Sequence, residues 1–239
     1  NTPRHRIDNF PKTMVNKLRE VYEIAKSNNC EFVTFGGDFF NTHRIFSYEV
    51  ISDTMDIICD VDIPLYACIG EHDLFGHSPN TFPSSTLAFL VRRCQNYHIL
   101  FEPKDLGNIV LYAKHEWQKM EEAMNTKVDS SKLNVLLCHE LISNKPAMFD
   151  IIQTSSLVDC PFDIVLSGDL HDGYETHKVG NTVFCNPGSL ARRAINDSYR
   201  LPQIAIIEAE KGKEPNIQFQ VLSCAKNGEE VFTKSILEM

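Results

Sequence analysis

The chain has no excess of positive charge. Its 239 residues carry 23 Lys and Arg against 32 Asp and Glu, a formal net charge of -9, with a pI near 5.5. Proteins that grip nucleic acid usually show a basic stripe. Its absence weighs only weakly against DNA, because divalent cations and local arginines can neutralise phosphates where it matters. No apolar run approaches the ~20 residues that span a bilayer, and no signal peptide is visible, so the chain reads as cytoplasmic with no membrane partner. Eight cysteines, at 30, 59, 68, 94, 138, 160, 185 and 224, form no C-x-x-C pair. They sit mostly inside apolar runs, which excludes a zinc ribbon and leaves small buried thiols in a reduced compartment as the expectation. Internal repeats, low-complexity tracts and long flexible linkers are missing too. At 43% hydrophobic, residues 1–239 suffice for one well-packed α/β domain.

What is there alternates. Residues 11–28 read as a helix: Pro11 suits a first turn, and Met14, Leu18, Val21, Tyr22 and Ala25 make one apolar face. Further helices are expected over 45–59, 84–93 and 118–123. Strands are expected over 31–35, 64–69, 97–101, 108–113, 133–137 and 163–166. From residue 174 the text changes to short strands, 174–179, 182–185, 203–209 and 216–221, separated by Gly-Asn and Lys-Gly turn signals. The first half is βα-like and the last third a β meander. Two packed sheets with helices outside follow.

Four segments carry the chemistry. Gly36-Gly37-Asp38, Gly70-Glu71-His72-Asp73, Cys138-His139-Glu140 and Gly168-Asp169-Leu170-His171 each place metal-ligand side chains directly after an expected strand. Taken singly, each has an ordinary reading. Asp38 caps a loop, the Gly70–Asp73 stretch is a polar turn, and His139 is a ligand or a hydrogen-bonded core residue. Asp169 and His171 are two apart, so in extended chain they face the same way and can serve neighbouring ions. Chance rarely supplies all four after strands in one chain. Carboxylates and imidazoles converging at strand ends build a metal site at one edge of the sheets, and the set points to a two-metal phosphoesterase.

In these segments the chain resembles the calcineurin-like metallophosphoesterases, whose signature runs D-x-H, G-D, G-N-H-[DE], a lone H and G-H-x-H. Gly37-Asp38, Gly70-His72-Asp73, His139 and Gly168-His171 match in order, and Asn186-Pro187-Gly188-Ser189 resembles a segment that follows in several branches. Gly37-Asp38-Phe39-Phe40 and Gly188-Ser189-Leu190-Ala191-Arg192 are most similar to the SbcD-type DNA repair nucleases. The resemblance implies a four-layer αββα sandwich of two mixed sheets flanked by helices. It implies Asp38, Glu71, His139, Asp169 and His171 as metal ligands, with Asp38 bridging two ions about 3.5 to 4 Å apart. Water activated between the ions would attack phosphorus in line. His72 would stabilise the phosphate or protonate the leaving oxygen, a task suited to an imidazole, with Asp73 orienting it. Asn41, His43, Arg44, His77 and Arg192 are candidates for substrate contact.

Three departures matter. The D-x-H motif is absent, and its usual spacing of about 40 residues before Asp38 falls upstream of Asn1, so the expectation is a protein that begins earlier. Glu71 stands where the family has Asn, and Asp169 replaces the first His of G-H-x-H. Asp38, Glu71 and Asp169 with His139 make a hard donor set, which favours manganese, or magnesium, over zinc. The resemblance therefore implies a manganese-dependent nuclease acting on DNA, with an SbcC-like ATPase partner and a homodimer in view. A phosphodiesterase for small nucleotides and a non-catalytic scaffold are the alternatives.

Overall fold

A computed structural model describes residues 2–146 and 150–233. Asn9 opens α1 (Phe10–Ser27) by accepting the Lys12 N–H, with Pro11 in the first turn. Strand β1 (Val33–Phe35), helix α2 (Tyr48–Cys59), strand β2 (Leu65–Ala67), helix α3 (Thr86–Arg93) and strand β3 (Tyr97–Ile99) follow. The helix expected over 45–59 starts only at Tyr48, because the Ser47 side chain accepts the Val50 N–H and sets the cap there. The three strands form a parallel sheet in the order β1-β2-β3. Its outer face meets the three helices through Val15, Tyr22, Ile57, Leu87, Leu65 and Tyr97.

The second half continues with β4 (Lys104–Asp105), β5 (Ile109–Lys114), α4 (Met120–Met124), β6 (Leu133–Cys138), β7 (Ile142–Ser143), β8 (Ile152–Gln153), β9 (Ile164–Ser167), β10 (Tyr174–Val179) and β11 (Thr182–Asn186). Six of these make a mixed sheet in the order β10-β11-β9-β6-β5-β4, with β5, β6, β9 and β11 parallel and antiparallel strands at both ends. Every residue of β6 is buried, as a continuous apolar run requires when both faces are covered. One face packs on the first sheet through Tyr66, Cys68, Leu111, Val135, Leu137 and Ile164. The other carries Leu136, Val165 and Phe184 against Met120, Ala123 and Leu157. Helix, sheet, sheet, helix is the expected sandwich.

Two expectations need correcting. The meander over 174–221 is split: β10 and β11 join the large sheet, whereas β12 (Gln203–Glu208) and β13 (Asn216–Val221) form a ladder of their own, ahead of the short α5 (Gly228–Val231). The parallel pairing of β11 with β9 claims the first hairpin for the second sheet, which local alternation cannot reveal. The cysteines are not all thiols either. Cys59 and Cys94 are joined in a disulfide, their Cα atoms 5.2 Å apart, because the C-terminal ends of α2 and α3 meet over the first sheet. Cys30, Cys68, Cys138, Cys160, Cys185 and Cys224 are free, four of them buried.

Candidate metal centre

The parallel strands β1, β6 and β9 all end at the same edge, and their loops bring the ligand types together. The turn after β1 is possible only with glycine. Gly37 has φ +91° and Asp38 φ +56°, and a Cβ on Gly37 would stand 2.5 Å from the His139 ring. The left-handed backbone aims the Asp38 carboxylate back over the Gly70 loop. There its Oδ1 accepts the His72 N–H at 2.9 Å, and a Cβ on Gly70 would collide with it.

His139 sits at the centre and is almost fully buried. Its Nδ1 lies 2.7 Å from the Gly36 carbonyl oxygen and its Nε2 2.7 Å from Glu71 Oε2. Asp38 Oδ2 is 3.7 Å and Asp169 Oδ1 4.0 Å from the same Nε2. Glu71, His139 and Asp169 can therefore converge on one ion, and Asp38, Glu71 and His72 on another, their donor atoms all within 4.8 Å in each group. His72 Nε2 lies 3.9 Å from Asp38 and 4.0 Å from Glu71, with its side chain 46% exposed.

The electrostatics show a site short of positive charge. The hydrogen bond from His139 holds the Glu71 carboxyl down to about 2. Burial works against the charged His139 ring, but Glu71, Asp38 and the Gly36 carbonyl outweigh it and raise it to about 9. Asp38 and Asp169 are both pushed up, first by burial; His139 pulls each down and Glu71 pushes each up, and burial prevails. Three crowded carboxylates around one imidazole are the donor set of a hard divalent cation. The residues present fit such an ion.

The structure brings Asp38, Glu71, His72, His139 and Asp169 together. His171 lies outside both groups; its side chain is exposed on the cleft rim. Asp73 is buried and does not orient His72. Its Oδ2 accepts the N–H groups of Asp38 and Gly70, each at 3.0 Å, so it holds the two loops in register. Asn41 and Arg44 are exposed, and His43 packs its ring 5.1 Å from that of Phe75. His77 pairs with Glu116 at 3.2 Å. Arg192 has the most different place: it is 1% exposed, and its guanidinium donates to the carbonyls of Arg200 and Lys226. Arg6, Lys17 and Arg200 in turn donate to the carbonyls of residues 189–192, building the loop whose Ser189 N–H bonds the His171 carbonyl.

One supporting residue escaped the sequence reading. Lys114, at the end of β5, is buried and donates to the His139 carbonyl at 3.1 Å and to Glu140 at 2.5 Å. A lone lysine closing an apolar strand was its signal.

A sequence model of the calcineurin-like phosphoesterase superfamily domain matches residues 5–212. Among solved structures, TT1561 of Thermus thermophilus has a TM-score of 0.55 at 9% identity, over 88% of this chain and 94% of its own. A second solved structure, at 13% identity over 87% of this chain and 84% of its own, has a TM-score of 0.45. The likeness to TT1561 concerns the fold alone. No curated protein matches the chain.

Proposed function

Because the chain belongs to the calcineurin-like phosphoesterase superfamily, a family of metal-dependent phosphoesterases, we propose that it is a manganese-dependent phosphodiesterase whose substrate is DNA. The observation that carries this reading is that Glu71 stands in two overlapping ligand groups, with His139 and Asp169 in one and with Asp38 and His72 in the other. Divalent ions held there supply Lewis acidity that activates water and offsets charge on phosphorus. The rest falls to the chain. Asp38, fixed by the N–H groups of its neighbours and by Asp73, faces both ligand groups. Asp38 and Glu71 remain as carboxylate donors without His72, so in this reading its half-exposed imidazole gives a proton to the leaving oxygen instead of binding the ion. The three carboxylates favour manganese over zinc. An ATPase partner of the SbcC type and a homodimer belong to the same reading.

A specific observation favours a second substrate class. Arg192 and Arg200, which follow the last ligand loop in the chain, are turned inward as loop supports, so neither offers its guanidinium to a DNA backbone. A small nucleotide phosphodiester needs less.

The test is manganese-dependent hydrolysis of end-labelled linear DNA, alongside a simple phosphodiester. DNA degradation that Asp38→Ala abolishes and His72→Ala slows about 10²–10⁴-fold, with metal still bound, is the expected result. Turnover of the simple diester alone overturns the DNA assignment in favour of the small substrate. Inactivity toward both overturns catalysis and leaves a binding scaffold.

A further inference from the structure

Aromatic side chains gather at one edge of the sheets. Phe75 and Phe101 are 65% and 57% exposed, and Trp117, the sole tryptophan, is half-buried. Each follows the C-terminal end of a parallel strand, β2, β3 and β5 in turn, the edge at which open α/β sheets bind ligands. We propose that Phe75, Trp117 and Phe101 form a stacking track for the unpaired bases of a single-stranded nucleic acid whose backbone enters the metal centre at His72. The inference rests on the phosphodiesterase reading above and gives its substrate a strand state.

The rings are tied to the loops that carry the ligand groups. Phe75 stands three residues beyond His72, so their Cα atoms lie within about 11 Å by chain length alone. The Phe75 ring is 5.1 Å from that of His43, so the loops bearing Asp38 and Glu71 contribute one ring each. Trp117 is brought in from the second sheet. The Ile69 N–H donates to His115 Nδ1 at 3.0 Å, and the Glu116 N–H donates to the Ile69 carbonyl at 3.0 Å, directly ahead of Gly70. Glu116 also pairs with His77 at 3.2 Å, which fastens the Trp117 loop to the segment after Phe75. The Trp117 ring stacks on that of His115, 4.8 Å apart and 18° from parallel. His115 in turn meets the Phe101 ring at 5.4 Å. Neighbouring strands stand ~4.8 Å apart, so the edge from β1 past β2 to β3 is ~10 Å long. That is room for two or three bases stacked ~3.4 Å apart.

The backbone beneath the exposed rings is fixed. The Phe75 N–H donates to Thr81 Oγ1 at 2.9 Å, and that hydroxyl donates to the Ser78 carbonyl at 2.6 Å. The His43 carbonyl accepts the Thr86 N–H at 2.8 Å. Rings held in place lose little freedom when a ligand settles on them. Charge selects bases over phosphates as the groups recognised. Glu102 adjoins Phe101 and Glu116 adjoins Trp117 in the chain, so the track is no cationic groove for a backbone. Its affinity comes from ring faces, which take any base. A duplex covers its base faces with its own stack and cannot use such a track.

The test is equilibrium binding of an oligothymidylate of about 12 nucleotides and of an abasic chain of the same length and charge. Calcium replaces manganese, and binding is read from the anisotropy of a terminal dye and from Trp117 emission. The thymidylate is expected to bind about 5- to 150-fold more tightly than the abasic chain, and it alone should quench Trp117. Phe75→Leu keeps apolar bulk and removes the ring. It should cost about fivefold or more in thymidylate binding and nothing with the abasic chain, and Trp117→Leu should do the same. Equal binding of the two chains overturns the inference. So does thymidine monophosphate competing as strongly as the oligomer, or a double variant, Phe75→Leu with Trp117→Leu, that binds like wild type. Binding of neither chain also overturns it and leaves the rings to a protein surface. DNA cleavage with base-independent binding would sink the track alone; base-dependent binding without cleavage would sink the proposed activity alone.

Discussion

Lys17 shows how far a single side chain's environment departs from its type. It projects from α1 into the interior, with its ammonium donating to the Leu190 carbonyl, and burial, followed by Arg192 and Arg6, lowers it to about 7 from the ordinary 10.5. The sign follows directly. Between these values the unfolded chain holds a proton that the folded chain sheds, so Lys17 costs stability at neutral pH and the cost fades as pH rises toward 10.5. Lys17→Met removes the titration. Wild type should therefore gain about 2 kcal/mol relative to the variant between pH 7 and pH 9, read from urea midpoints of both proteins at each pH. A constant difference would show that the ammonium is not held in a dry place. Asp73 makes the companion case. Its neighbour in sequence is His72, which the Gly-Glu-His-Asp loop suggested as its partner, but the chain folds it onto two backbone N–H groups instead.

At the scale of elements, most of the pattern was legible. The apolar stripe of α1 and the apolar runs of β5, β6 and β9 are local signals, and they land where periodicity places them; the serine caps that move the starts of α2 and α3 to Tyr48 and Thr86 went unread. What stayed hidden is how distant elements meet. The Cys59–Cys94 bridge joins the ends of α2 and α3 across 35 residues. Closing a loop of that length removes unfolded-state entropy worth roughly 3–4 kcal/mol. Thermal unfolding with and without a thiol reductant should show a lower midpoint when reduced, and a Cys59→Ser/Cys94→Ser double variant should match the reduced wild type and ignore the reductant. An unchanged midpoint would mean that the helix ends need no covalent tie. The split of residues 174–221 between two ladders has the same origin, since strand propensity is read locally while the choice of sheet is not.

The whole molecule gathers negative charge at one edge. Asp38, Glu71 and Asp169 crowd around His139, and Asp38 and Asp169 are pushed up, first by burial and then by Glu71 beside them. Folding into this arrangement is opposed by the repulsion, and a divalent ion reverses it. Manganese at 100 times its dissociation constant should stabilise the fold by about 2.7 kcal/mol, seen as a raised melting midpoint, and Asp169→Asn should shrink that gain. A midpoint indifferent to manganese would overturn the ligand set. The order of strands, glycine turns and ligand-type residues determined the two packed sheets and the loops that bear Asp38, Glu71, His139 and Asp169, and the resemblance of those motifs to a known family supplied the superfamily, because these signals lie within a few residues of one another. Only the tertiary structure decided that Arg192 is a buried support, that His171 stands outside the ligand groups and that Cys59 meets Cys94. Those facts depend on contacts such as Arg6 with the Arg192 carbonyl, 186 residues apart, and no local pattern encodes a pairing at that distance.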